Sequence, residues 1–425
     1  MKVVVACYGT RGDVEPCAAV ARELSNRGHD VLVAVPPDLI GFIESAGLAA
    51  AAYGPNLQEI LDAHRRYYTF FFRNFWKVWR YAEMGSLARD SWEPRLQCWA
   101  DMGKALTSLT DDADLLFTSL PFEEIAANVA EYHDIPLVAL HYFPWRPNGR
   151  LLTFLPARLG RLVMAYQHRL TWQAIREVDQ AQRRELGVPE APNTVPWRRI
   201  SERGSLELQA YDQVCFPGLA AEWAQWDGRR PFTGALTLEM PTDADSDVAA
   251  WIAGGSAPIF FGFGSMPVDS ASGTLSMITA ACEELGVRAL ICAAGTEFSD
   301  IAESDRLKVV SAVNFAAALP ACRAVVHHGG AGTTAAGLRA GVPTLILSTD
   351  LDHTLWGFRV KRLKVGAARR FSTTTRQTLV KDLRRILSPE VAVRARHLAT
   401  QMTKPTESSV AAADAVEAFV RETAG

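Results

Sequence analysis

The chain opens on Val3-Val4-Val5-Ala6-Cys7, an apolar run without alternation, followed by the loop Gly9-Thr10-Arg11-Gly12-Asp13. A run of that kind fits a strand buried on both faces, and such strands belong to parallel sheets covered by helices. Pro16 suits a first helical turn. Ala19, Val20 and Leu24 then fall on one stripe, and Gly28 ends it. Val31 to Val35 is the next strand, stopped by Pro36-Pro37. A βαβ unit at the start commits the adjoining chain to an α/β fold. Strands are expected over 114–118 and 136–141 with a helix between them, and the stretch 145–210 reads mainly as helices.

The same pattern restarts after the polar, turn-prone segments 228–231 and 240–245. Strands are expected at 258–263, 289–293, 308–310, 324–327 and 344–347. A chain of 425 residues exceeds the roughly 250–300 that one core organises, so two α/β domains are expected. The division is placed at 1–228 and 229–404, with 405–425 as a helix crossing back to the first domain.

Composition narrows the function. Lys and Arg total 44 against 47 Asp and Glu, without the basic excess of a nucleic-acid binder. The seven cysteines form no C-x-x-C pair and read as reduced, buried thiols of a cytoplasmic protein. No run reaches the ~18 apolar residues that span a bilayer. There is no G-x-x-x-x-G-K-[ST], no G-x-G-x-x-G in the first turn and no G-x-S-x-G around Ser265. These absences argue against a P-loop ATPase, a dinucleotide oxidoreductase and an α/β-hydrolase.

His327-His328-Gly329-Gly330-Ala331-Gly332-Thr333-Thr334 follows an apolar run and opens a helix expected over 335–340. A strand feeding a small-residue turn and a helix N-terminus makes an anion site, with a histidine at its lip to bind phosphate. The plain alternative is a tight packing turn. Asp13, at the end of the first strand, is either a general base for a hydroxyl nucleophile or a helix-capping acid. Asp350-Leu351-Asp352-His353 follows another strand and suits sugar hydroxyls. Its D-x-D pattern recurs in two other acidic loops, so no metal site is assigned. Nine of the fifteen residues in 67–81 are aromatic, with Arg65, Arg66, Arg73, Lys77 and Arg80 interleaved or adjacent. That run reads as a wall for a bulky apolar substrate, as a surface dipping into a membrane, or as a buried helix. Tyr68, Phe71, Phe72, Trp76 and Trp79, with Tyr142, are the candidate acceptor-binding residues.

The first loop through Pro16, Phe263-Gly264-Ser265-Met266 and the stretch from His327 through Pro343 together resemble the inverting nucleotide-sugar glycosyltransferases of the GT-B fold, family 1. The actinobacterial enzymes that decorate antibiotics, sterols and envelope glycolipids are the nearest subgroup. Asp352-His353-Thr354-Leu355-Trp356 and Met402-Thr403-Lys404-Pro405 further resemble mycobacterial glycopeptidolipid and phenolic glycolipid transferases. The resemblance implies two Rossmann-like domains facing across a cleft, with the acceptor mainly in the first and the donor mainly in the second. It implies Asp13 as the base. Thr10, Arg11, Ser265, His327, Gly329, Gly330, Ala331, Gly332 and Thr333 would lie about the donor phosphates. Val313 would lie against the pyrimidine base, and Asp352 and His353 against the sugar. His353 replaces the family's usual Gln.

The implied co-substrate is a TDP- or UDP-sugar, with no tightly bound cofactor and no metal. The implied acceptor is lipid-like or a polyketide, reached from the cytoplasm with peripheral contact at the inner face of the membrane. The rival readings are an epimerase on the same fold and a non-catalytic auxiliary protein.

Overall fold

The computed structural model describes residues 1–57, 93, 96–153, 155–226, 228–262, 264, 271–293 and 304–423. The chain divides into two compact units, Met1–Leu238 with Pro405–Gly425, and Glu239–Lys404. The segment 229–238 stays with the first unit because its backbone pairs there. Glu207 N–H donates to Arg229 O at 2.8 Å, Gln209 N–H to Pro231 O at 2.9 Å, and Leu238 N–H to Glu15 Oε1 at 3.1 Å. The division therefore falls at Leu238/Glu239 rather than after residue 228.

The first unit is built on β1 (Lys2–Ala6), β2 (Asp30–Val35), β3 (Ala49–Ala52), β4 (Leu115–Ser119), β5 (Leu137–His141) and β6 (Leu206–Gln209). All its pairings are parallel, in the order β3-β2-β1-β4-β5-β6. Val4 lies between Leu32 and Leu116 and is fully buried, as a residue covered on both faces must be. The chain leaves β1 in one direction to make β2 and β3, and returns to the other side of β1 to make β4. Ligands of open α/β sheets gather beyond the strand ends at such a reversal. The loops after β1 and β4 meet there: the Tyr8 and Phe122 rings contact edge to face at 5.4 Å.

The first helix runs from Arg11 to Asn26, so Pro16 sits inside it rather than in its first turn. The earlier start is set by Thr10, whose backbone N–H and hydroxyl both donate to Asp13 Oδ2, at 2.7 and 3.0 Å. This is the reach-back half of a capping box. The stretch 145–210 holds the helices Ala157–Leu186 and Pro196–Glu202, but it also holds β6, which the helical reading missed. The helix Pro405–Thr423 packs in this unit through buried Ala412, Ala413, Val416 and Phe419. Arg27 pairs with Asp414 at 2.7 Å, and His29 Nε2 lies 2.9 Å from Glu417. No helix among the described residues is long and apolar enough to cross a membrane.

The second unit repeats the plan with β7 (Ile259–Gly262), β8 (Ala289–Cys292), β9 (Leu307–Val310), β10 (Ala324–His327), β11 (Thr344–Ser348) and β12 (Gly366–Arg370). The order is β12-β11-β10-β7-β8-β9, again all parallel. The reversal lies between β7 and β10. The helix expected from residue 335 starts at Ala331 and ends at Arg339, directly after the glycine turn.

A buried ionic group ties the strand ends of the first unit together. Arg146, fully buried, gives Nη1 to Glu123 Oε1 and Nε to Glu207 Oε2, each at 2.6 Å. Glu207 also accepts from Ser201 and Arg230. Burial alone would raise the Glu123 carboxyl, but Arg146 and His141 outweigh it and hold it at about 2. Removing one partner strands the opposite charges without water. Arg146→Ala is expected to destabilise the first unit by about 3–5 kcal/mol. Chemical denaturation checks this, and an unmoved unfolding midpoint would contradict it.

Candidate functional site

Two constellations stand at the two reversal points, one in each unit. In the first unit Asp13 is the third residue of its helix, half-buried, with both carboxylate oxygens engaged. Oδ2 accepts from Thr10, and Oδ1 accepts from the Tyr142 hydroxyl at 2.6 Å. Tyr142 immediately follows β5, so the strand order brings a residue 129 positions away against the first loop. Gly9 makes room for this arrangement. Its φ is +138°, and a Cβ there would overlap the Asp13 carboxyl group. The capping and base readings of Asp13 are therefore not alternatives: one oxygen caps the helix and the other meets a phenol. Arg11 is exposed, pairs with Glu15 at 3.1 Å and stacks over the Phe42 ring at 4.5 Å.

In the second unit the turn after β10 carries the candidate donor residues. His327 is wholly buried rather than at a lip. Its Nδ1 accepts from the Gly329 N–H at 3.1 Å, which puts the imidazole proton on Nε2. That Nε2 is buried and has no partner among the described residues. Burial, with His328 and His353 adding to it, pushes His327 well below the usual histidine range, so it is a neutral donor. Gly329 has φ of +111°, and a Cβ there would sit 2.9 Å from His353 Cβ. Gly330 caps the helix Ala331–Arg339, whose first three residues are Ala331, Gly332 and Thr333.

Asp350 caps the helix Leu351–Leu363, which places Asp352 and His353 in its first turn. His353 Nδ1 lies 2.9 Å from Thr349 Oγ1, and its ring meets His328 edge to face at 4.7 Å. Burial pushes His353 down to about 4 and His328 to about 3, so neither is charged near neutrality. Asp350, Asp352 and His353 bring their ligand atoms within 4.8 Å of one another. Val313 is buried in the same apolar cluster as Phe260 and Leu290, and the next residue's N–H donates to Asp245 at 2.8 Å.

Ser265, Tyr68, Phe71, Phe72, Trp76 and Trp79 lie outside the described residues. Sequence reasoning placed Tyr142 with the acceptor wall and missed its bond to Asp13. An aromatic residue directly after a buried strand was the only sign available. It also missed His328 as the ring joining the turn after β10 to the Asp352–His353 turn; the doubled histidine was its signal.

Residues 3–148 match the glycosyltransferase family 28 N-terminal domain, and residues 287–417 match the erythromycin biosynthesis protein CIII-like C-terminal domain. An uncharacterized glycosyltransferase of Mycobacterium tuberculosis is 53% identical over 424 residues, covering 99% of each chain. The chain is a GT-B glycosyltransferase of the family 1 type. A glycosyltransferase of kitacinnamycin superposes on 99% of both chains with a TM-score of 0.73 at 17% identity, which bears on the fold alone. A sterol 3-beta-glucosyltransferase of Arabidopsis thaliana is 26% identical over 99% of this chain and 68% of that protein. The glycosyltransferase uses a nucleotide-sugar donor, as its family does.

The turn after β11 carries a pH signature. Burial, and the nearby Asp352, raise the Asp350 carboxyl from 3.8 to about 7. A carboxyl raised in the folded state contributes stability that is present below its ordinary range and lost as pH rises through about 7. Asp350→Asn keeps a side chain of the same size at the N-cap position and removes the buried charge. It is expected to stabilise the second unit by on the order of 1–2 kcal/mol at alkaline pH and by little in mild acid. Thermal unfolding across pH checks the sign, and an alkaline loss of stability in the variant would contradict it.

Proposed function

We propose that this glycosyltransferase transfers a hexose from a TDP- or UDP-sugar to a hydroxyl of a hydrophobic glycolipid or lipopeptide, with inversion at the anomeric carbon. The observation that carries the reading is the Asp13 carboxylate, held at a strand end by Thr10 on one oxygen and Tyr142 on the other. In this mechanism Asp13 takes the proton of the acceptor hydroxyl. That oxygen forms the new bond to the anomeric carbon as the bond to the diphosphate breaks, and the nucleoside diphosphate leaves with the electron pair. Tyr142 keeps the carboxylate oriented as the proton approaches.

The turn after β10 would receive the diphosphate. The buried Nε2–H of His327, the N–H groups after Gly329 and the N-terminus of Ala331–Arg339 would supply donors where negative charge grows. Because His327 is neutral, it would contribute a hydrogen bond rather than a charge. Asp352 and His353 would contact sugar hydroxyls. A 6-deoxyhexose such as rhamnose or 6-deoxytalose is the leading donor sugar on the resemblance to the envelope-glycolipid transferases, with UDP-glucose as the fallback. The aromatic run 67–81 supports a large apolar acceptor. A sterol or polyketide acceptor is the second reading, favoured by the sterol glucosyltransferase among the relatives.

Asp13→Asn is expected to lower turnover by about a thousandfold, while calorimetry finds its affinity for the nucleoside diphosphate unchanged. Wild-type turnover would remove Asp13 as the base. Tyr142→Phe keeps the ring and deletes one charge-assisted bond, so kcat is expected to fall about tenfold. An unchanged kcat would leave Tyr142 a packing residue. His327→Ala should weaken the nucleoside diphosphate, and equal affinity would displace the phosphate site from this turn.

A further inference from the structure

The helix Ala157–Leu186 is apolar on two opposite faces. Gly160, Met164, His168, Trp172 and Ile175 form its buried stripe, at the three- and four-residue spacing of one helical face. The side turned to solvent should then be polar. Instead Leu159, Leu162, Val163, Tyr166 and Leu170 form a second stripe at spacings of three, four, seven and eleven residues. They are exposed by 46%, 67%, 40%, 63% and 42%. At 100° per residue this stripe lies opposite the buried one.

Along the sequence that carries the stripe, charge has one sign. No acidic residue occurs between Asp134 and Glu177, while arginine occurs at 146, 150, 158, 161, 169 and 176. Arg146 is buried with Glu123 and Glu207, and Arg150 and Arg161 face Glu222. Arg158, Arg169 and Arg176 remain exposed, and their spacings of eleven and seven put them in one row along the edge of the apolar stripe. An exposed apolar face with a tyrosine in it and a row of arginines beside it suits an interface where acyl chains meet anionic headgroups. A protein partner would be expected to meet such a row with mixed charge, whereas a bilayer surface presents one sign throughout.

We propose that this face docks the protein onto an anionic lipid surface, with Leu162 and Tyr166 entering the headgroup layer and Arg158, Arg169 and Arg176 lying on it. The proposal is independent of the sugar-transfer chemistry, and it places membrane contact on a helix that sequence reading did not single out for it. The experiment is flotation of the full-length protein with vesicles of phosphatidylglycerol and, separately, of phosphatidylcholine. The wild-type protein is expected to float with the first and not the second, and to be released by salt. Leu162→Asn with Tyr166→Asn, and separately Arg158→Gln with Arg169→Gln and Arg176→Gln, should each weaken binding by about tenfold or more. All these sites are exposed, and far-UV circular dichroism with an unchanged melting temperature verifies the fold of each variant. Equal flotation of the variants would overturn the proposal, as would absence of wild-type binding to phosphatidylglycerol. Sedimentation velocity gives a third contrary outcome: a wild-type dimer that the Leu162/Tyr166 variant dissolves would make this face a contact between copies.

Discussion

A parallel sheet covered by helices on both faces leaves little room for polar chemistry within it. Val3, Val4 and Val5 in one unit, and Val325 and Val326 in the other, are at most 1% exposed. Backbone groups are consumed by the ladders, and side chains are consumed by packing. Reactive groups are left to the loops beyond the carboxyl ends, and the reversal in strand order decides which loops meet. In the first unit that rule brings Tyr142 from the end of β5 to Asp13 after β1. In the second it brings the β10 turn to Gly264 after β7, where a Cβ would lie 2.9 Å from the His328 ring.

The same constraint explains the buried ions. β6 carries Glu207 into the interior of the unit, and that carboxylate needs Arg146 and Arg230 beside it. Arg146 lies four residues after Tyr142 on the segment leaving β5. The ion pairs that hold this segment thus also support the phenol that meets Asp13. Stability and the candidate base are linked through one short stretch of chain. Two large side chains that look solvent-seeking in the sequence are buried for this reason.

Central elements were legible in the sequence, and of the four edge strands only β9 was. The inner strands announce themselves as Val-, Ile- and Leu-rich runs, and Ala324–His327 is bounded as the pattern predicts. β3 is four alanines, β6 is Leu-Glu-Leu-Gln and β12 is Gly-Ala-Ala-Arg-Arg, none with a β-branched residue. Each is held by its neighbour's ladder rather than by its own preference. Gly366 approaches the Thr344 carbonyl so closely that no side chain would fit there, a constraint invisible in one dimension. Among candidate features, those carried by a local motif were readable as candidates: Asp13, the histidine-glycine turn and Asp352-His353. Those made by tertiary contact were not: the Tyr142–Asp13 bond, the buried state and tautomer of His327, and the Arg146 cluster. The pairing of Arg11 with Glu15 and its place over the Phe42 ring were likewise not legible in the sequence.

A neutral buried histidine, a glycine turn and a helix N-terminus together make the proposed donor site, and sugar transfer depends on it. Calorimetric titration of the purified protein with TDP, UDP and NAD, side by side and without added metal, tests it most directly. A clear binding isotherm for TDP or UDP and none for NAD is the predicted result. Absence of binding by both pyrimidine nucleotides would contradict the donor site and would turn attention to a non-catalytic role for the fold.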